Sequence, residues 1–317
     1  MRLSVLMITY NHAKYIRKAI DSVLSQETNF DFEIVVGDDC STDGTREIIN
    51  EYIQRYPNKM VAPCAERNIG ANRNFTRSLV ICRGQYIALL DGDDYWTSPR
   101  KLQTQVDYLD SHPEYIMCFH DVENIFEDCT GSPVYIQNER PETMDIEDIL
   151  KDNFIPTSSV VFRNGFIRQF PDWYCDLPFG DWPFFIILSQ FGKIGYINQT
   201  MGAYRRRTEA ATAGGAAKFG PKGELFLQGE LKIYRLLDNY FHGRYRSIIR
   251  PAVSRRYYLL STHFEKIGNL SKAKKYALYR LATRSFNDGE ENILKHLFRL
   301  YMPGVYGFIK ALRSAMS

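Results

Sequence analysis

The chain has no cysteine pair in C-x-x-C spacing; its six cysteines, Cys40, Cys64, Cys82, Cys118, Cys129 and Cys175, are scattered, with no histidine at ligand spacing beside them. This argues against a zinc site of the usual kind, and a disulfide framework is not expected at this length and spacing. No apolar run reaches the roughly 18 residues that span a bilayer, and Met1-Arg2-Leu3-Ser4-Val5 runs directly into an expected strand. The expectation is a reduced, cytoplasmic protein. Neither G-x-G-x-x-G nor G-x-x-x-x-G-K-S/T follows the first apolar run. Dinucleotide binding of the ordinary kind and the phosphate loop of ATPases are therefore disfavoured. A large net charge is also missing, at +3, but the balance is uneven. His242 to Ser317 holds fifteen Lys or Arg against four acidic residues, a balance of +11, which leaves −8 for residues 1–241. Such an asymmetry suggests that the basic end meets something anionic. A membrane surface suits it better than nucleic acid, because no nucleic-acid-binding module accompanies the charge.

What is present is the pattern of an α/β protein. The 317 residues are 44% hydrophobic and 24% charged, enough for a sizeable core. Apolar runs at Leu3–Thr9, Phe32–Val36, Met60–Ala62 and Tyr86–Leu90 alternate with helical spacing at Ile16–Leu24, from Thr45 to before Pro57, and through Phe75–Val80. This alternation predicts βαβ units and a mostly parallel central sheet flanked by helices. Ser98-Pro99 then reads as the start of a helix to Ser111. Tyr115–Phe119, Ser158–Phe162, Lys193–Ile197 and Met201–Arg205 read as further strands. Met144–Asp152 reads as a short helix, and the segment from Asp176 opens an apolar helix through Phe191. Beyond a mobile loop at Arg205–Gly215 the signal is helical. Arg255–Lys266 and Ser271–Arg284 are spaced like one tetratricopeptide-type hairpin, too few for a repeat array. Two domains follow, residues 1–215 and a basic helical appendage, 216–317.

Three strand ends carry polar clusters: Thr9-Tyr10-Asn11, Asp38-Asp39-Cys40-Ser41-Thr42-Asp43 and Asp91-Gly92-Asp93-Asp94. In a parallel sheet the carboxyl ends of the strands share one edge, so the three can line one crevice. Carboxylates as dense as Asp91, Asp93 and Asp94 repel unless a cation lies among them. Mg2+ or Mn2+ is the simplest neutraliser, bridging one or two carboxylates to substrate phosphates; an acidic turn that merely ends a strand is the alternative.

In order, Ser4-Val5-Leu6-Met7-Ile8-Thr9-Tyr10-Asn11, Asp38-Asp39-x-Ser41-Thr42-Asp43-Gly44-Thr45, Asn68-x-Gly70 and Tyr86-Ile87-Ala88-Leu89-Leu90-Asp91-Gly92-Asp93-Asp94 resemble the blocks of a family 2 glycosyltransferase of the GT-A fold, over roughly residues 1–210. The resemblance implies an inverting, metal-dependent transfer of sugar from a nucleoside diphosphate, with UDP favoured, to a glycan or lipid-linked acceptor in surface-polysaccharide synthesis. It implies that Thr9, Tyr10 and Asn11 border the nucleotide, Tyr10 packing on the base, and that Asp39 accepts the uracil imide. Asp91 and Asp93 would serve the ribose or diphosphate and the metal, Mn2+ or Mg2+, with Asp94 in support. Asp181 takes the place of the family's general base, and Arg205, in the pair Tyr204-Arg205, could grip diphosphate. Two departures stand out: Gly180 where many relatives carry Glu, and Arg207 where they carry His.

Blander readings stand beside these. Tyr10 could be a core residue at a strand end; Asp38 and Asp43 suit helix capping; His120 suits a structural role. A sugar-phosphate nucleotidylyltransferase shares a related sheet but lacks its Gly-rich basic loop here, and a non-catalytic nucleotide-sugar binder or membrane-docked scaffold is a third class. The tail's stripes, Leu294, Leu297, Phe298, Tyr301 and then Val305, Phe308, Ile309, Leu312, run beside Lys295, Arg299, Lys310 and Arg313. They fit either an interfacial helix, peripheral on the inner face of the plasma membrane, or packing on the catalytic domain.

Overall fold

The computed structural model describes residues 1–126, 134–135, 140–206, 223–283, 285 and 291–306. The tail stripe from Phe308 to Leu312, with Lys310 and Arg313, lies outside them, as do Arg207, Cys129 and most of the Arg205–Gly215 loop. The five described cysteines are free thiols. No described helix is long and apolar enough to cross a membrane.

β1 (Leu3–Thr9), β2 (Phe32–Asp38), β3 (Met60–Val61) and β4 (Tyr86–Asp91) form a parallel block in the order β3-β2-β1-β4. Their apolar residues point to both faces, as strands covered on both sides require. The crossovers are α1 (Ile16–Leu24), α2 (Thr45–Arg55) and α3 (Ala71–Leu79). α1 buries Ile16, Ala19, Ile20 and Val23 along one stripe against the sheet. The register aligns Thr9 with Asp38 and Ile8 with Asp91, so all three polar clusters leave the sheet at one edge.

Beyond β4 the sheet is mixed rather than mostly parallel. β9 (Val161–Arg163) pairs antiparallel with both β4 and β6 (Tyr115–Phe126), and β6 runs parallel to β10 (Lys193–Arg206). β5 (Tyr95–Trp96), β7 (Val134–Tyr135) and β8 (Thr143–Met144) add short antiparallel pairings. The two strands expected between Lys193 and Arg205 are one strand, whose register shifts between Ile197 and Gly202. Exposed Asn198, Gln199 and Thr200 mimic a turn in sequence but form this bulge. Ser158 lies in a 3-10 turn, Thr157–Ser159, just before β9. α4 (Lys101–Ser111) begins two residues after Pro99, because Ser98 Oγ accepts the Arg100 N–H in a turn that delays the helix. α5 (Ile146–Lys151) and α6 (Asp181–Leu188) follow, the latter continuing as a 3-10 turn to Phe191.

The chain divides into one compact unit of Met1–Ile149 with Asn153–Ala213, and a second of Leu150–Asp152 with Gly214–Ser317. The second contains helices Gly223–Tyr240, Arg246–Lys266, Leu270–Ala282 and Ile293–Tyr301. Leu227, Leu260, Phe264, Ala273, Tyr276, Ala277 and Leu300 are its core. Helix Ile293–Tyr301 buries Ile293, His296 and Leu300, with Leu297 of the stripe legible in sequence packed beside them, and leaves Leu294 and Tyr301 65% and 46% exposed.

Candidate functional site

The first strand-end loop is stitched to the second by Asn11. Its backbone is left-handed (φ 55°), a conformation asparagine tolerates. Its N–H donates to Ser41 Oγ (2.9 Å) and its Oδ1 accepts the Thr42 N–H (2.9 Å). Asn11 thus holds two loops together, and the neighbouring Tyr10 ring stays 43% exposed rather than joining the core. Thr9 is buried beneath it, with its Oγ1 3.2 Å from His12 Nδ1.

In the second cluster the aspartates divide their work. Asp38 is fully buried and ties Ser41 and Arg46 to the strand end. Asp43 accepts from the Thr45 N–H and hydroxyl and from the Ala13 N–H. Partial burial raises its pKa, but these hydrogen bonds outweigh that and hold it below the usual range. Asp39, also buried, accepts the N–H groups of Ile69 (2.8 Å) and Gly70 (2.9 Å), one on each oxygen. The Asn68-x-Gly70 block therefore orients Asp39, with Gly70 at φ 88°. Each oxygen keeps a further lone pair for another donor.

The third cluster is a tight turn: the Gly92 N–H donates to the Ile8 carbonyl (2.9 Å) and the Asp94 N–H to the Asp91 carbonyl (3.1 Å). A Cβ on Gly92 would fall 2.5 Å from Thr9 Oγ1 and 2.9 Å from His12 Nδ1, so glycine alone lets the turn lie on β1. Asp93 is 15% exposed, and its Oδ2 stands 3.8 Å from His12 Nε2. His12, which the sequence pattern did not single out, thereby joins the cluster; its only signal is its place three residues past β1. Asp94 is buried, and burial, then Asp93 and Asp91, raise its pKa well above the ordinary value. Its Oδ1 accepts the Arg205 N–H (2.8 Å). Its Oδ2 has no protein hydrogen bond of ordinary geometry, though the nearby Ser158 hydroxyl favours the charged form slightly.

Arg205 reaches this turn because β5 pairs with β10, Ala203 opposite Tyr95. Its Nε donates to the Asp93 carbonyl (3.0 Å) and its guanidinium lies 4.5 Å from the centre of the Tyr15 ring. Arg206 turns instead to Asn124 Oδ1 (2.8 Å), so adjacent arginines do part ways. His120 is fully buried and does not face a crevice.

Asp181 is the first residue of α6, half-buried beside Trp182, whose indole N–H donates to the Ile149 carbonyl (2.7 Å). Thr157 Oγ1 and Asn153 Nδ2 donate to Asp181 Oδ2, both at 3.4 Å. Burial raises its pKa; the Trp182 N–H, Asn153 and Thr157 offset this only in part. Desolvation therefore outweighs the helix N-terminus, the contest that sequence left open. Gly180 is explained by its surroundings: a Cβ there would meet Asn72 Oδ1 at 2.3 Å and the Tyr174 hydroxyl at 2.9 Å. Asn72 itself is held by the Leu177 carbonyl (2.9 Å), so it cannot easily give way. Gly180→Glu is accordingly expected to destabilise the protein by about 1–3 kcal/mol through overpacking, read as a lower urea midpoint.

Tyr204 joins the two halves of the site. Its part-buried phenol is shifted far upward by desolvation first, then by Asp94, with Arg206 opposing and Asp91 and Asp181 adding to the rise. The acidic turn and Asp181 thus act on one hydroxyl. Among the described residues no three His, Cys, Asp or Glu side chains form a ready cage for a metal. Two repelling carboxylates at a strand end nevertheless suit a hard cation that keeps open positions for phosphate oxygens.

The model of glycosyl transferase family 2 matches residues 4–173. A Mycobacterium tuberculosis protein, Rv1520, is 41% identical over 208 residues, 64% of this chain and 58% of its own length. The match thus spans less than two thirds of that relative. Among solved structures, Staphylococcus aureus TarS 1–349 in complex with UDP-GlcNAc superposes with a TM-score of 0.56 at 18% identity, over 89% of this chain and 92% of that one. The mannosyltransferase PcManGT from Pyrobaculum calidifontis, in complex with GDP-Man and Mn2+, gives 0.55 at 14% identity, over 96% and 87%. These two likenesses bear on the fold. With the family model covering more than half of its residues, the chain belongs to glycosyl transferase family 2.

Proposed function

We propose that the protein transfers a sugar, with inversion, from a UDP-sugar to a hydroxyl of a glycan or lipid-linked acceptor. The observation that carries this reading is the register of the parallel block, which brings the Thr9–Asn11, Asp38–Asp39 and Asp91–Asp94 strand ends to one sheet edge; the action of Asp94, Asp91 and Asp181 on the Tyr204 phenol supports counting Asp181 with them. Tyr10 offers its exposed face to the base, and Asp39 offers its remaining lone pairs to a ring N–H. Asp91 and Asp93 would hold a divalent cation, Mn2+ or Mg2+, which when bound supplies positive charge to the departing diphosphate. Arg205 braces the same turn from the other side. Asp181 takes the proton of the acceptor hydroxyl as the acceptor oxygen bonds to the anomeric carbon. The bond from that carbon to the diphosphate oxygen breaks with its electron pair leaving on UDP. UDP is supported by the complex reported for TarS, whereas PcManGT was solved with GDP-Man. The surface-polysaccharide setting rests on the family resemblance.

Incubation with a panel of nucleotide sugars, with and without Mn2+, tests this. Slow metal-dependent hydrolysis of a UDP-sugar is expected, and dependence on pyrophosphate would favour the nucleotidylyltransferase instead. Tyr10→Ala is expected to weaken donor binding by roughly 1–3 kcal/mol, the usual worth of base–aromatic stacking, seen as a raised KM with little change in kcat. The basic C-terminal helices are assigned peripheral contact with anionic lipid. The +11 balance of residues 242–317 and the exposed Leu294 and Tyr301 support this. Leu294→Glu should reduce co-sedimentation with phosphatidylserine vesicles, and unchanged partitioning would rule the contact out.

A further inference from the structure

Behind the acidic turn lies a group of buried side chains that the proposed chemistry does not use. Lys101, Gln105, His120 and Ser158 are fully buried, and Asp94 nearly so. Each has a polar atom without a protein hydrogen-bond partner: Lys101 Nζ, Gln105 Oε1, His120 Nε2, Ser158 Oγ and Asp94 Oδ2. Native interiors hold few such atoms. These five belong to one neighbourhood. Lys101 Nζ lies 4.0 Å from the centre of the Trp96 ring, and the Trp96 indole N–H donates to the Ser158 carbonyl (2.8 Å). Gln105 Nε2 donates to the Ser159 carbonyl (2.9 Å) and the Cys118 carbonyl (3.2 Å). The charge of Lys101 acts on His120, and the Ser158 hydroxyl acts on Asp94.

The donor and acceptor inventory of the group is one-sided. Gln105 has spent its N–H groups, so Oε1 can only accept. His120 Nδ1 is 2.8 Å from the Asp121 carbonyl, which cannot donate; Nδ1 therefore carries the proton and Nε2 is an acceptor. Asp94 Oδ2 accepts as well. Opposite them stands Lys101, whose Nζ faces the Trp96 ring but makes no protein hydrogen bond. Although burial pushes its pKa down to about 7, it donates N–H groups whether charged or neutral, while the Ser158 hydroxyl can both give and take. Acceptors and donors match in kind but do not touch, and a buried water with two to four polar partners is what closes such a gap.

We propose that Lys101 positions Asp94, and through it the Asp91–Asp93 turn, by way of enclosed water shared with Gln105, His120 and Ser158. The inference rests on the reading of that turn as the seat of the diphosphate and its cation. It gives the buried Asp94 a second hydrogen-bond partner besides the Arg205 N–H. Arg205 N–H fixes one oxygen of Asp94, and the water shared with Lys101 fixes the other. The turn then presents Asp91 and Asp93 in one geometry before donor arrives.

A crystal structure of the parent protein should contain ordered water within hydrogen-bond distance of Lys101 Nζ and of Asp94 Oδ2 or Ser158 Oγ; a dry, collapsed site would overturn the proposal. Lys101→Met keeps the volume and removes the donors. Calorimetry with UDP and Mn2+ should show about tenfold weaker binding, the low end for losing a partner that orients a metal ligand. The variant should melt no lower than the parent, because methionine fills a similar volume without a polar group to desolvate. A merely structural lysine would instead lower melting temperature and binding together. Ser158→Ala, a smaller change, should weaken binding in the same direction and serves if the first variant does not fold. Absence of UDP–Mn2+ binding by the parent would remove the reading beneath the inference. Parent binding that both variants share unchanged would overturn the inference alone.

Discussion

Asp181→Asn is expected to lower kcat by about two to four orders of magnitude, the usual contribution of a positioned general base, while calorimetry finds UDP–Mn2+ binding close to that of the parent. Asparagine keeps the shape and can still accept from Thr157 and Asn153, but it cannot take a proton. The raised pKa of Asp181 fixes the sign of the pH dependence. The working form is the carboxylate, so activity falls as pH falls through the folded-state value, and this acidic limb lies above the range of an ordinary aspartate. A merely capping Asp181 would give no such limb. Stability carries the opposite sign. A carboxyl whose pKa is raised on folding contributes stability below its unfolded value and loses that contribution as pH rises through the folded value. At pH above the folded-state value the parent therefore bears a desolvated charge that the asparagine variant lacks, and there the variant should melt no lower. Loss of turnover without loss of stability separates a chemical role from a structural one, and equal turnover by the two proteins would remove Asp181 from the mechanism.

How far the sequence reached can be judged from particular residues. The parallel block was legible because its strands are continuous apolar runs closed by glycine, asparagine and aspartate, and because helical spacing separates them. Local pattern also placed the three polar clusters at strand ends, and the register of β1 with β2 and β4 brings those ends to one edge. The other half of the sheet was harder, because it depends on pairings between distant segments. Nothing local announces that Ala203 lies opposite Tyr95, yet that pairing is what delivers Arg205 to Asp93 and Asp94. Exposed Asn198-Gln199-Thr200 has the composition of a turn, and only pairing with β6 makes it a bulge. The same limit applies within the site. Asn11 and Asn68-x-Gly70 could be marked as motif positions, but not as the groups that lock one loop and orient Asp39. His12 and the buried set around Lys101 carry no motif at all; their meaning comes from burial and from who faces them. In the tail, spacing favoured Leu294, Leu297, Phe298 and Tyr301; Leu297 does pack on the core, but beside Ile293, His296 and Leu300, while Leu294 and Tyr301 stay exposed. Two apolar stripes on one short helix cannot be ranked until the partner surface is known.

The second large effect concerns Asp93. Asp93→Asn is expected to cut metal-dependent turnover by about a thousandfold, since charge stabilisation at a departing diphosphate is worth several kcal/mol. Asp94→Asn is expected to be far milder, although the two residues are adjacent. Asp93 is part-exposed next to His12 and can turn its charge toward the crevice. Asp94 is buried, its pKa already pushed upward by desolvation and by Asp93 and Asp91. Its contact with the Arg205 N–H, made through Oδ1, needs only an acceptor oxygen, which asparagine supplies. Titration of Mn2+ into each variant at fixed UDP-sugar separates the two roles. Asp93→Asn should lose both metal affinity and maximal rate. Asp94→Asn should keep most of its maximal rate and need more metal to reach it, because the turn is held less firmly. Removing Mn2+ with a chelator should silence the parent to the level of Asp93→Asn and leave that variant almost unchanged, since a ligand already lost cannot be lost twice. If Asp93→Asn responded to Mn2+ like the parent, the acidic strand end would be a turn and not a metal-binding group, and the site would have to be sought elsewhere along the same sheet edge.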